Sequence, residues 1–249
     1  MPTTLNKQTT ISTHELSYHL LYKLLNSSIH PFPFSHLLIP DIFPQFIYTD
    51  LTDNLPPIDL YKPFVKTLNH TTKQHNPTRY EFILSLENIN DCCQGNQKDI
   101  LLQLYDLFCD GNFSSYFIQH YVAIFDLCNE QGWENKSISF SLSLIKDIDG
   151  YYIDPHTDIN SKLFTLLFYL ASDDKHQHLG TRLYSPKDSS ANFTHDHYPL
   201  EKFHLVQTMP FLPNHCFCLF RSNNSFHGVS KLTESGYERN TLSVTFYME

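Results

Sequence analysis

Two hydrophobic periods divide this chain of 249 residues. Up to about residue 137, apolar side chains recur mainly at helical spacing. LSYHLLYKLL keeps its leucines on one face, and just before it Ser12 and Glu15 form the S-x-x-E pattern that caps a helix start. Residues 98–109 (KDILLQLYDLFC) and 115–128 (SYFIQHYVAIFDLC) predict two further amphipathic helices. Residues 31–57, rich in proline and aromatics (PFPFSHLLIPDIF), read as a short strand and a connector, too apolar to be left in water.

After residue 137 the period changes to two. SISFSLSLI alternates polar and apolar positions, as a half-buried strand should, and KDIDGY supplies a turn. KLFTLLFYL is apolar enough for a buried strand. TRLYSP, KFHLVQTM, CFCLF, SFHGV and NTLSVTFYM follow as short strands between turn signals. Many short strands imply a sandwich or barrel, and helices gathered ahead of them imply packing on the outside of one sheet. The expected architecture is mainly β with flanking α. It forms one domain over residues 1–249: a helix-rich support and substrate region (1–137), then a β core (138–249).

Composition narrows this little. At 41% apolar and 14% aromatic the chain can bury a sizeable core, and with only 17% charged residues it does not read as disordered. A formal charge of −9 argues against nucleic acid or anionic membrane as partner, since both need a basic surface. The N-terminus has no apolar segment of signal-peptide length, and no stretch approaches a membrane span. The expected location is therefore cytoplasmic, with reduced thiols at Cys92, Cys93, Cys109, Cys128, Cys216 and Cys218. Cys216 and Cys218 share a strand face, which reads as core packing rather than a zinc site.

The candidate chemistry lies in four residues: His156 and Asp158 in PHTD, His227 in SFHGV and Arg239 in ERNTLSV. Two histidines and a carboxylate suit a mononuclear non-haem Fe(II) centre with open positions. In a chain with 15 histidines an H-x-D arises by accident, so context has to carry the weight. Alternate residues on a strand point the same way, so a strand-borne H-x-D aims both groups at one point. His227 alone reads as a packed histidine, and Arg239 alone as a surface arginine. Together, with Arg239 opening the last strand, they supply a metal site and a cation for the far carboxylate of a keto acid. A zinc or iron cupin stays as an alternative, although it needs no such arginine. His176 and His178 (HQH) and His195 and His197 (HDH) fall in polar loops, as substrate contacts or incidental metal binders.

These residues resemble the prolyl-hydroxylase-like branch of the Fe(II)/2-oxoglutarate-dependent oxygenases. The H-x-D is followed by TLLFYL (165–170), close to that branch's T-x-x-x-Y-L, then by GTRLYSP (180–186) and RNTLSV (239–244). The aromatic and proline segment leading into IFPQFIYTDLTDNLPP is similar to the start of many small-molecule hydroxylases. The resemblance is close over residues 138–249 and loose over 30–137. It implies a double-stranded β-helix (jelly-roll) core, with Fe(II) held by His156, Asp158 and His227. The 2-oxoglutarate 5-carboxylate would pair with Arg239 and accept hydrogen bonds from Tyr169 and Ser243. O2 is the oxidant and ascorbate a stimulant. The implied reaction is hydroxylation of an unactivated C–H, with succinate and CO2 as co-products. Family halogenases carry a small residue where Asp158 stands, so this carboxylate argues for hydroxylation or a related oxidation. Arg182, Tyr152, Tyr184 and Arg79 are the substrate candidates. A free or carrier-bound amino acid or other small polar metabolite comes first. A protein side chain is the runner-up, and a non-enzymatic jelly-roll binding module is the alternative from another class.

Overall fold

In the computed structural model the described residues are 11–68, 72–128, 136–188 and 198–249. The first three strands in chain order are β1 (His36–Ile39), β2 (Lys62–Leu68) and β3 (Thr72–Ile83). The next four are β4 (Ile138–Asp147), β5 (Ile153–His156), β6 (Lys162–Tyr169) and β7 (Thr181–Pro186). The last four are β8 (Phe203–Thr208), β9 (His215–Phe220), β10 (His227–Val229) and β11 (Arg239–Met248). They form a seven-stranded sheet ordered β1-β9-β6-β11-β4-β3-β2 and a four-stranded sheet ordered β5-β10-β7-β8. All ladders are antiparallel.

The strand order identifies the core. Counted from β4 as the first, the larger sheet orders the core strands sixth, third, eighth, first, and the smaller orders them second, seventh, fourth, fifth. The chain thus passes back and forth between two facing sheets, which is a double-stranded β-helix. This agrees with the mainly β architecture expected from the alternation. The N-terminal half also contributes β1 at one edge of the larger sheet and β2 and β3 at the other.

The helices are α1 (Thr13–Leu25), α2 (Gln45–Asp53), α3 (Leu86–Cys92), α4 (Gly95–Cys109), α5 (Gly111–His120) and α6 (Val122–Cys128). The Ser12 capping box is formed, with the Ser12 hydroxyl accepting from the Glu15 amide and the Glu15 carboxylate accepting from the Ser12 amide. Two differences from the expectation have local causes. The helix expected over 115–128 is broken at Tyr121, whose φ/ψ of −100°/19° ends α5 while its hydroxyl donates to the Leu24 carbonyl of α1 at 2.6 Å. The connector before residue 57 contains α2, which starts directly after Pro44.

The helices cover the outer face of the larger sheet. Phe164, Leu166 and Phe168 of β6, Cys216, Cys218 and Phe220 of β9, and Leu242, Val244 and Phe246 of β11 all enter one core cluster with α1, α4 and α5. Phe164 lies between Phe117 and Phe246, with ring centroids 4.4 Å from each. Each such fully buried ring contributes roughly 1.5–3 kcal/mol from area alone. Cys216 and Cys218 occupy this face as packing residues, as their spacing implied. Among the described residues no helix is long and apolar enough to cross a membrane.

Candidate metal centre and its cavity

The inner face of the larger sheet carries the other parity. A cavity of about 490 Å³ lies between the sheets, and from β11 alone it is lined by Arg239, Thr241, Ser243, Thr245 and Tyr247. Ser141, Ser143 and Ile145 of β4 and Thr165 and Leu167 of β6 continue the same wall. The smaller sheet supplies Ile153, His156, Thr181, His227 and Val229.

His156 and His227 meet because β5 and β10 pair antiparallel with these two residues directly opposite each other. Direct partners carry their side chains on one face at close range, and the ring centroids are 4.3 Å apart. The pairing is bulged here: β10 advances two residues from His227 to Val229 while β5 runs three, from His156 to Ile153. Pro155 sits inside the bulge, where its missing N–H costs no ladder bond. The two strands also approach closely at Gly228, since a Cβ there would stand 2.5 Å from the Ile153 carbonyl oxygen. Any side chain at that position would force apart the strands carrying the two imidazoles.

Asp158 completes the set from just outside the strand. β5 ends at His156, so the H-x-D is half strand and half loop, although its side chains still converge. One donor atom from each of His156, Asp158 and His227 lies within 4.8 Å of the others. Among the described residues this is the one group of three or more such donors. His156 Nδ1 lies 3.0 Å from the Asp154 carbonyl oxygen and His227 Nδ1 2.9 Å from that of Ser225. An Nδ1–H donated to a carbonyl leaves Nε2 as the lone-pair donor, as a ligating imidazole requires. The same bond occurs at His36 and His215, so it fixes a tautomer without marking a ligand by itself. Burial lowers the pKa of His227, favouring the neutral ring. Burial opposes ionisation of Asp158, but Lys162, His227 and His156 outweigh it and hold the carboxyl well below its usual range. His227 and Asp158 are therefore in the charge state a divalent cation needs.

At the other end of the wall three charged residues form one cross-strand line. Asp147 of β4 is the direct partner of Arg239 on β11 and of Arg79 on β3. Arg79 reaches both Asp147 oxygens, Nε to Oδ1 at 2.7 Å and Nη2 to Oδ2 at 2.9 Å. Arg239 donates Nη1 to Oδ2 at 2.7 Å and Nε to the Leu179 carbonyl at 2.8 Å. Arg239 is 2% exposed and Asp147 0%, and both arginines border the cavity. Two guanidiniums on one carboxylate leave a net positive charge, so this end favours an anion. Beside it, the buried Thr241 hydroxyl has no hydrogen-bond partner. An anionic ligand oxygen against Arg239 would satisfy it.

The other sequence candidates distribute as follows. Ser243 lines the cavity. Tyr169 is fully buried, its hydroxyl donating to Thr181 Oγ1 at 2.9 Å, so it meets the cavity through Thr181. Arg79 borders the cavity. Arg182 and Tyr184 alternate with Thr181 and Leu183 and fall on the far face of β7, where Tyr184 packs with Phe203 and Phe226. Tyr152 is 55% exposed and outside the lining. His176 packs on the Tyr237 ring and His178 bonds Glu234, while His195 and His197 lie outside the described residues. Sequence reading missed Asp147, Thr241 and Lys162. Asp147 could have been suspected as the polar end of an alternating strand, but nothing local marks Lys162.

No protein-family model matches the chain, and no curated protein matches it in sequence. Among solved structures it is similar to a prolyl-4-hydroxylase from Pseudomonas putida, at 14% identity and TM-score 0.49, over 94% of this chain and 99% of that one. It is also similar to a Trichoplax adhaerens prolyl hydroxylase in complex with a hypoxia-inducible-factor peptide, at 12% identity and TM-score 0.47, over 96% and 94%. A third is the non-haem α-ketoglutarate-dependent epimerase SnoN of nogalamycin biosynthesis, at 9% identity and TM-score 0.48, over 92% and 81%.

Proposed function

We propose that this chain is an Fe(II)- and 2-oxoglutarate-dependent dioxygenase. It hydroxylates an unactivated C–H of a free or carrier-bound amino acid or other small polar metabolite. The observation that carries the reading is one cavity with a two-histidine, one-carboxylate donor set at one end and a net-positive arginine pair at the other. A keto acid with a distal carboxylate carries the two kinds of group that these ends attract.

When bound, Fe(II) with 2-oxoglutarate and O2 supplies decarboxylation of the keto acid coupled to C–H oxygenation, giving succinate and CO2. The residues do the rest. His156, Asp158 and His227 hold the cation from one side and leave its cavity side open. Arg239, braced by Asp147 and the Leu179 carbonyl, holds the distal carboxylate through a charge-assisted contact. The unpartnered Thr241 hydroxyl, two residues along β11, would donate to the same group, and Ser243, further along the strand, is the second proposed donor. Tyr169 keeps Thr181 in place. The two sheets bury Asp158 and His227, at 8% and 9% exposure, and so shield two of the three donors from solvent. The lining hydroxyls of Ser141, Ser143, Thr165, Thr245 and Tyr247, with Glu81, support a polar substrate rather than a lipid. A volume of about 490 Å³ suits two small molecules together.

Two measurements test this. Anaerobic Fe(II) with 2-oxoglutarate should give a weak visible charge-transfer band that His156→Ala lacks. Succinate release, screened over amino acids and then peptides, should identify the substrate. Absence of the band from wild type and variant alike would sink the enzyme reading. Turnover of peptides alone would move the substrate to a protein side chain.

A further inference from the structure

Lys162 stands where a metal site rarely wants a cation. Its Nζ donates to Asp158 Oδ1 at 2.7 Å, and its side chain, 24% exposed, borders the cavity. The contact is built into the backbone. Lys162 opens β6 opposite Tyr247 of β11, and its amide closes the turn onto the Ile159 carbonyl at 3.1 Å. Asp158 is fixed from its own side, with Arg221 Nε donating to its carbonyl at 3.3 Å. Ammonium and carboxylate therefore face each other across a closed turn.

We propose that Lys162 is a positioning residue of the metal centre that makes retention of the cation depend on an anion joining it. This rests on the function proposed above. With Oδ1 accepting from Lys162, Asp158 would offer a cation chiefly its other oxygen. The charges lead to the dependence. Two neutral imidazoles and one carboxylate carry one negative charge, and the Lys162 ammonium cancels it. A divalent cation alone thus enters a site with no net charge and meets a like charge beside its own ligand. An anionic ligand at the open positions restores the attraction. Without Lys162 the metal becomes the main partner of a buried carboxylate, which destabilises the metal-free site and tightens binding to the cation.

The test is Mn(II) binding by titration calorimetry, with and without 2-oxoglutarate, for wild type, K162Q, K162M and K162R. K162Q and K162M should bind Mn(II) alone on the order of 10-fold tighter than wild type. The factor by which 2-oxoglutarate tightens Mn(II) should shrink in both, while K162R keeps the wild-type pattern. The metal-free melting temperature should fall in K162Q and its gain on adding Mn(II) should grow. Equal or weaker Mn(II) binding by K162Q and K162M, or an unchanged 2-oxoglutarate factor, overturns the proposal and leaves the function standing. Wild type binding Mn(II) no better than H156A even with 2-oxoglutarate present overturns both.

Discussion

β11 shows two faces of one strand given to two purposes. Leu242, Val244, Phe246 and Met248 turn toward the helices and enter the main apolar cluster. Thr241, Ser243, Thr245 and Tyr247, in register between them and behind Arg239, turn toward the cavity. Neighbouring positions thus differ in whether substitution damages folding or chemistry, and the parity of the residue decides which.

Three substitutions can break or sharpen that division. Phe164→Ala removes a ring stacked between Phe117 and Phe246 and should cost about 3–5 kcal/mol in urea unfolding. Mn(II) affinity of the folded fraction should not change, and a parallel loss of affinity would mean the faces are coupled. On the cavity side, Arg239→Ala should raise the 2-oxoglutarate concentration for half-maximal succinate release roughly 10- to 100-fold, the loss of a charged hydrogen bond of about 1.5–3 kcal/mol. The Fe(II) requirement should move far less, and equal rises in both would remove the anchoring role. Smallest is Ser143→Ala, a buried hydroxyl of the cavity wall on β4, directly opposite Ser243 of β11. Stability should fall by no more than about 1 kcal/mol, and the ranking of substrates in the succinate screen should change.

Much of this was legible along the chain. The capping box at Ser12 and the period-two runs from residue 137 translate directly into α1 and the core strands, because each depends on neighbours a few residues away. β2 and β3 were not, since KPFVKTL and TKQHNPTRYEFI are interrupted by Pro63 and Pro77 and show no clean apolar face. The break at Tyr121 depends on a hydroxyl reaching back to α1, a contact no local pattern encodes. Within the candidate site, His156, Asp158, His227 and Arg239 were found by motif. Asp147 becomes visible only when the β4–β11 and β3–β4 registers are known, because the pairing itself places it between two arginines. Parity within TRLYSP could have been used earlier. It separates Arg182 and Tyr184 from Thr181, and only Thr181 borders the cavity.

The carboxylate at position 147 also constrains how this protein can diverge. Because it answers two guanidiniums at once, its loss would strand both of them, whereas the loss of either arginine leaves a neutral pair. Descendants with a different preference at that end of the cavity should therefore lose an arginine before they lose the carboxylate.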